Sequence, residues 1–296
     1  MSNDIVNNYI DEFNDNLVLK LQQLNSRFRG TMTESTHEGE GASVVDQISS
    51  VTSERRTTRH GPKPVIETPH DRRWVYPTDF DWGDIVDNED KLRTRIRPEG
   101  AYTKNGIAAI ARDLDDEVIG AFFGTAKTGV RGGTSTTHSN QVAVGVGSSA
   151  DTGLNTKKLL SARELIIGAE VDIEDPDNQL WCAISAKYER QLLEQIKVAS
   201  GDYNKPVFGE DGKTLKHWFG INFVMTERLD TDTNSDYRVP FWAASGMHIG
   251  IWDDIKGNIV QRNDLKRDPF HVTTSGTFGA TRIEEARVVE IICDPT

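Results

Sequence analysis

The chain has 296 residues, enough for one large domain or two small ones, and 36% of them are hydrophobic, which is enough to bury a core. Its 34 basic and 46 acidic residues give a net charge of −12, which disfavours binding to nucleic acid through phosphate contacts. No run of about 18 apolar residues could span a membrane, and the polar N-terminus is unlike a signal peptide, so we expect a protein that is soluble and intracellular when made.

Residues 1–42 are predicted to form an N-terminal arm. Apolar residues at three- and four-residue spacing predict a helix over 5–24. The following stretch, 27–42, is rich in Gly, Thr, Ser and Glu and has few apolar side chains. Such a segment cannot offset the entropy lost when its backbone becomes ordered. We therefore expect it to be mobile in the free chain and to become ordered only through contacts with another molecule.

Residues 43–82 are predicted to form a long hairpin. Its middle is turn-rich and cationic, with four basic residues: Arg55, Arg56, Arg59 and Lys63. The return strand carries four aromatic residues at even positions: Trp74, Tyr76, Phe80 and Trp82. Even positions share one face of an extended chain, and an isolated two-stranded ribbon is marginally stable in water. We therefore expect this aromatic face to be covered from outside the hairpin, and the tip over 55–69 to be mobile until it is covered.

The clearest helix is predicted over Pro98–Phe123. A proline in the first turn, Glu99 beside it and Gly124 after the last turn are typical of helix ends. One apolar stripe runs along it: Ile107, Ile110, Leu114, Val118 and Ala121. Glycine weakens a helix interior, so we expect Gly106 to mark a place where another backbone packs closely against the helix.

The remaining sequence alternates between helices and strands. Residues 125–153, rich in Gly, Ser and Thr, are predicted to be a loop with one short strand near 142–146. Helices are predicted over 156–171 and 185–199. Strands are predicted over 179–184, 219–226, 239–243, 247–251, 259–262, 271–278 and 286–293. This order predicts an α+β fold, with a helix-and-sheet region over 154–264 inserted between the long helix and the closing strands over 265–296.

Several short motifs are similar to catalytic or metal sites, but ordinary structure explains each of them better. Asp151-Thr152-Gly153 is the tripeptide of aspartic proteases, whose chemistry needs two carboxylates, and no second copy exists. Lys127–Gly129 lacks the nucleophile motif of penicillin-binding enzymes, and Asp230–Asp236 lacks the glycine and glutamate of a calcium loop. Cys182 and Cys293 have no CxxC motif, and the seven histidines lack metal-ligand spacing. We therefore expect no enzyme, no cofactor and no metal site.

Six segments carry a resemblance to a known family: Asp46–Ile48, Arg56–His60, Glu67–Arg73, Asp81–Asp87, Gly279–Glu285 and Val288–Ile291. In order and spacing they resemble one group of tailed-bacteriophage major capsid proteins across nearly the whole chain. That group resembles the Hong Kong 97-type capsid fold. The resemblance implies an N-terminal arm over 1–42, an extended loop over 43–82, a peripheral domain over 83–153 with the long helix 98–123 as its spine, an axial domain over 154–264, and closing strands of the peripheral domain over 265–296.

The resemblance also implies a function. Members of the family self-assemble as hexamers and pentamers into an icosahedral shell that encloses double-stranded DNA without sequence-specific binding. The arm is too short to contain a cleaved scaffolding region, so a separate scaffolding protein is expected, together with a portal and a decoration protein as further partners. The expected location is the virion capsid, assembled in the cytoplasm of the bacterial host, with no membrane partner.

The predicted subunit interface contains nine residues of the hairpin and its return strand: Arg55, Arg56, Arg59, Arg72, Arg73, Trp74, Tyr76, Phe80 and Trp82. Burying a large aromatic side chain against a neighbour would contribute about 2–3 kcal/mol, whereas each exposed ion pair would add about 0–1 kcal/mol and mainly set the register. Two alternatives remain at this point. One is a bacterial encapsulin-like nanocompartment shell, and the more remote one is a soluble hydrolase that uses Asp151.

Overall fold

The computed structural model describes residues 22–48, 51–57, 59, 63, 65–87, 99–148, 150–195, 207–208 and 215–295. The helix predicted over 5–24 lies almost entirely outside these residues, as do Pro98 and parts of the hairpin tip. The chain divides into two compact units: residues 1–25, 80–112 and 255–276 form one, and residues 26–79, 113–254 and 277–296 form the other. The domain boundaries drawn from the sequence stay a prediction.

The described residues form three α-helices: α1 (Glu99–Phe123), α2 (Thr156–Gly168) and α3 (Ala186–Leu193). Their strands are β1 (Thr33–Thr36), β2 (Ala42–Ile48), β3 (His70–Val75), β4 (Thr78–Val86), β5 (Ala126–Thr128), β6 (Thr134–Thr136), β7 (Gln141–Val142), β8 (Leu180–Ile184), β9 (Val207–Phe208), β10 (Leu215–Trp218), β11 (Ile221–Met225), β12 (Tyr237–Ala243), β13 (Met247–Gln261), β14 (Phe270–Arg282) and β15 (Val288–Cys293). The predicted α+β class and the long helix are confirmed.

The strands make three sheets, in the orders β7-β15-β12-β8-β11-β10-β9, β2-β3-β5-β6 and β1-β13-β14-β4. In the first sheet, β15 pairs antiparallel with β12 and parallel with β7. The buried side chains of Val288, Val289 and Ile291 on β15 therefore belong to the same sheet as β12.

Helix α2 shows how this sheet is covered. The side chain of Asn155 accepts a hydrogen bond from the backbone N–H of Lys158 and so begins the helix. Leu159, Ala162 and Ile166 follow at three- and four-residue spacing, and all three are fully buried. Because apolar residues at this spacing lie on one face, the helix buries that face and leaves the opposite one to solvent.

Two of the predicted loops and strands differ from the observed ones. Residues 125–153 contain three short strands, β5, β6 and β7, rather than one. The strands predicted separately over 247–251 and 259–262 are one strand of 15 residues, β13. Four of the seven intervening residues are polar or charged, which hides the strand pattern in the sequence, but pairing with β14 satisfies the backbone whatever the side chains are.

The segment over 27–42 packs within its own unit. Phe28 is fully buried and Met32 nearly so, and β1 pairs in parallel with β13 from Thr33↔His248 to Thr36↔Ile251. The backbone N–H of Arg27 donates to the carboxylate of Asp115 at 3.0 Å. The expectation that this segment has too few apolar contacts to become ordered in a free subunit is therefore wrong, because two buried side chains and one strand pairing attach it.

Gly106 of α1 lies where a neighbouring side chain fills the space that a larger residue would need. A Cβ atom at this position would overlap the ring of Trp82 on β4 and lie 2.5 Å from Thr274 Oγ1 on β14. The predicted close approach is confirmed, but the neighbours are side chains rather than another backbone.

We expect Gly106→Ala to destabilise the subunit by about 1–3 kcal/mol, because the added methyl group overpacks the contact with Trp82. Gly120→Ala on the same helix is the matched control. A Cβ at Gly120 would meet nothing within 4 Å, so the better helix propensity of alanine should stabilise by up to about 1 kcal/mol. Urea unfolding of unassembled subunits measures both changes, and equal stabilisation by the two substitutions would contradict the described packing.

Candidate functional site

The hairpin predicted to contact a neighbouring subunit is formed by β2 and β3. The strands pair antiparallel, with Asp46 opposite Arg72 and Ile48 opposite His70. Arg72 Nη2 donates to Asp46 Oδ2 at 3.2 Å, and both side chains are about half exposed. An ion pair this exposed adds about 0–1 kcal/mol, so its main effect is to favour this register of the hairpin.

Apolar side chains at the end of the paired part of the hairpin, and beyond it, are exposed to solvent. The exposed fractions are 66% for Ile48, 52% for Val51, 94% for Val65 and 43% for Ile66. Burial of such side chains would be worth about 25 cal/mol per Å². The described part of the hairpin therefore presents these four apolar side chains to solvent.

Three of the predicted interface arginines lie in the same segment of the hairpin. Arg55, Arg56 and Arg59 are exposed, and Arg56 donates to the backbone carbonyl of Arg59. Their guanidinium groups are therefore accessible from solvent next to the apolar positions.

Trp74 and Tyr76 have partners within the chain. Strand β3 pairs with β5, which places the turn after β5 beside β3. Trp74 Nε1 donates to the carbonyl of Gly129 at 2.7 Å, and Tyr76 Oη donates to the carbonyl of Arg131 at 3.0 Å. The expectation that this aromatic face has no local cover is wrong for both residues, because β5 comes from a distant part of the sequence.

The four aromatic residues also do not lie on one continuous strand. Strand β3 ends at Val75 and β4 begins at Thr78, with Pro77 between them. Proline has no N–H group to donate to a sheet, which explains why pairing stops there. Phe80 is half-buried, and Trp82 packs beside Gly106 of α1.

Arg73 is buried and forms an ion pair within its own chain. Its side chain is 6% exposed, and Arg73 Nη2 donates to Glu285 Oε2 at 2.7 Å. A guanidinium group that is buried and paired in its own subunit has little surface left for a neighbour, so we leave Arg73 out of the interface proposed below.

The sequence analysis missed the turn after β5. Val130 in this turn is 87% exposed and lies on a groove of about 600 Å³ lined by Asp46, His70, Asp71, Arg72, Trp74 and Val130. Gly129 and Gly132 have φ angles of 74° and 68°, which glycine adopts without strain. The closely spaced glycines over 129–133 were the signal of a tight turn that could have been recognised in the sequence.

Two of the motifs that are similar to catalytic or metal sites, at Lys127 and Asp232, make hydrogen bonds with nearby residues of the chain. The amino group of Lys127 donates to the hydroxyl of Ser135, and Asp232 accepts from backbone N–H groups of its own turn. Burial raises the pKa of the Cys182 thiol and raises that of Cys293 to about 12, so both stay protonated at neutral pH.

No group of three His, Cys, Asp or Glu side chains in the described residues could hold a metal ion. No described helix is long and apolar enough to cross a membrane.

A family model described as phage capsid protein matches residues 5–295. The capsid of cyanophage P-SCSP1u aligns with a TM-score of 0.75 at 14% identity, covering 100% of this chain and 97% of the other. The capsid of Ralstonia phage GP4 aligns at 0.68 with 11% identity, covering 98% and 97%, and a structure of Mycobacterium phage Che8 aligns at 0.65 with 16% identity, covering 96% and 97%. These likenesses show the fold. A comparison with curated proteins found no match.

Proposed function

The chain belongs to the phage capsid protein family, and from this membership we propose that its subunits assemble as hexamers and pentamers into an icosahedral shell around double-stranded DNA. The observation that carries the proposal at the level of residues is the hairpin. It combines exposed apolar side chains with exposed arginines, and the fold of its own subunit leaves them accessible.

In the proposed shell, each hairpin lies over a neighbouring subunit. Complete burial of a valine or isoleucine side chain contributes about 1.5–3 kcal/mol, so Val65 and Ile48 together could supply several kcal/mol per contact. Arg55, Arg56 and Arg59 would then pair with carboxylates of the neighbour, because a subunit with a net charge of −12 has more acidic than basic side chains. Such pairs orient the contact more than they strengthen it.

This proposal moves the main contact away from the aromatic residues. Trp74 and Trp82 are half-buried against their own chain, whereas Val65 is almost completely exposed. Tyr76, 41% exposed, and Arg72, about half exposed and lining the same groove as Val130, stay in the proposed interface. Phe80 contributes only the part of its ring that its own chain leaves accessible.

Charge also bears on the proposed contents of the shell. A subunit with a net charge of −12 repels DNA phosphates, so packaged DNA would be enclosed rather than tightly bound. The capsid of the virion is the location that family membership supports, and we propose assembly in the host cytoplasm with a separate scaffolding protein, a portal and a decoration protein. No observation favours a nanocompartment shell or a hydrolase that uses Asp151.

We expect Val65→Asp to abolish shell formation while the unassembled subunit keeps its melting temperature. The reason is that Val65 is 94% exposed in the subunit and would be covered only by a neighbour. Electron microscopy and sedimentation of the protein, expressed with and without candidate scaffolding protein, measure the yield of shells. Val65→Ile is the matched control and should assemble normally. Normal shells from the aspartate variant would remove the hairpin from the interface, and failure of the unaltered protein to form any closed shell or ring would contradict the proposed function itself.

A further inference from the structure

Two histidines lie side by side where the segment over 27–42, called the arm segment below, pairs with strand β13. His37 follows β1, and His248 lies on β13, the strand with which β1 pairs. Their Nε2 atoms are 3.0 Å apart. The hydroxyl of Ser35 lies 3.0 Å from His37 Nε2 and 3.1 Å from His248 Nε2. Two nitrogen atoms and one oxygen atom therefore form a nearly equilateral triangle.

The hydrogen-bond partners of His248 determine which of its nitrogen atoms is free. The hydroxyl of Thr33 donates its proton to the carbonyl of Met247 at 2.7 Å. Thr33 Oγ1 can therefore only accept from His248 Nδ1–H, which lies 3.1 Å away. A neutral His248 then carries its lone pair on Nε2 and directs it into the triangle.

The three contacts of the triangle cannot all be hydrogen bonds. His248 Nε2 has no proton to give, so one proton from His37 and one from the Ser35 hydroxyl must serve three short contacts. A cation above the triangle would satisfy all three atoms at once. Zinc binds nitrogen and oxygen ligands at about 2.0–2.2 Å in tetrahedral geometry, which places its ligand atoms about 3.3 Å apart. The observed separations need to open by only a few tenths of an ångström.

We propose that His37 Nε2, His248 Nε2 and Ser35 Oγ bind a divalent transition-metal cation of the zinc class, which fastens the arm segment to β13. Ser35 is exposed, so water from solvent would supply a fourth ligand. Imidazole nitrogen is a preferred ligand for zinc, copper and nickel, whereas magnesium and calcium prefer oxygen. The third ligand is a serine hydroxyl, so this site differs from the usual metal sites built from three or more His, Cys, Asp or Glu side chains.

The surroundings hold both rings in place before any cation binds. The Nδ1–H of His248 is held by Thr33, as the outer nitrogen of a metal-binding histidine usually is by a second partner. A Cβ at Gly250 would lie 2.8 Å from His37 Cδ2, so glycine leaves the space that this ring occupies. Trp252 packs its ring 5.3 Å from that of His37 and donates to the carbonyl of Gly39 at 2.8 Å, which fixes the turn after His37.

Zinc binding to unassembled subunits tests the proposal by equilibrium dialysis and by thermal melting with zinc chloride or EDTA. We expect one zinc ion per subunit, a higher melting temperature with zinc, and slower hydrogen exchange of the β1 amides. His37→Gln, at a half-buried position, should lose at least tenfold in affinity and most of the thermal shift. His70→Gln changes an exposed histidine elsewhere and should bind as the unaltered protein does.

Cobalt provides a second measurement that does not depend on stability. Cobalt(II) in a site of this geometry should give a visible absorption band that zinc displaces and that His37→Gln lacks. If the unaltered protein binds no zinc, or if His37→Gln binds zinc as tightly as the His70→Gln control, the two rings share only an N–H···N hydrogen bond and the proposal is overturned.

Discussion

Replacing Arg282 with methionine is expected to destabilise the subunit by about 3–5 kcal/mol. The Arg282 side chain is completely buried. Its Nη1 donates to the carbonyls of Phe122 at 2.7 Å and Gly124 at 3.0 Å, where helix α1 ends, and Nη2 donates to Thr136 O at 3.3 Å. The last turn of α1 contains no basic residue, so Arg282 supplies donors that the helix itself lacks.

Methionine preserves most of the volume but leaves these carbonyls without their donor in a buried place. Glu285, which accepts from Arg282 Nε at 3.4 Å, would keep its ion pair with Arg73. Urea unfolding of unassembled subunits measures the loss. Arg190→Met is the matched control, because that side chain is 69% exposed and its ion pair with Glu194 lies on a helix surface, so its change should stay within about 0.5 kcal/mol. If both variants unfold at the same urea concentration, the prediction is contradicted. Water would then donate to the carbonyls of Phe122, Gly124 and Thr136 in place of Arg282.

Phe28→Ala is expected to cost about 3–5 kcal/mol, which would be a large loss for a residue within the predicted N-terminal arm. The ring of Phe28 is fully buried, and its centroid lies 5.9 Å from those of both Phe122 and Trp242. Trp242 Nε1 also donates to the carbonyl of Thr31 at 3.2 Å. Removing the ring therefore leaves a cavity beside two aromatic side chains and loosens the attachment of residues 26–36.

Leu24→Ala provides the comparison within the same stretch of chain. Leu24 is 51% exposed, so its truncation should change the free energy of unfolding by less than about 1 kcal/mol. Limited trypsin digestion gives a second measurement, because Phe28→Ala should expose Arg27 and Arg29 to cleavage in free subunits while Leu24→Ala should not. Rapid cleavage at these sites in the unaltered protein would show that the segment is not attached before assembly.

Local patterns in the sequence were sufficient for much of the fold. The apolar stripe of α1 and the spacing of Leu159, Ala162 and Ile166 in α2 predicted both helices, because an amphipathic helix repeats its buried face every three or four residues. The pairing of β2 with β3 was predicted from two strand-like runs on either side of a turn-rich segment, and the structure confirms it. The motifs that resembled phage capsid proteins agree with the family model over residues 5–295.

Contacts between distant residues were decided only by the tertiary structure. Arg282 reaches carbonyls about 160 positions away, β15 joins the sheet that contains β12, and Trp74 finds its acceptor at Gly129. The side chains of Phe28 and His37 likewise meet partners on β12 and β13, more than 200 residues away. Periodicity reports only whether a face is apolar, since it depends on neighbours a few residues apart. Which distant group covers that face depends on the path of the whole chain, and this is why the pairing of β2 with β3 was predicted correctly but the cover of the aromatic residues was not.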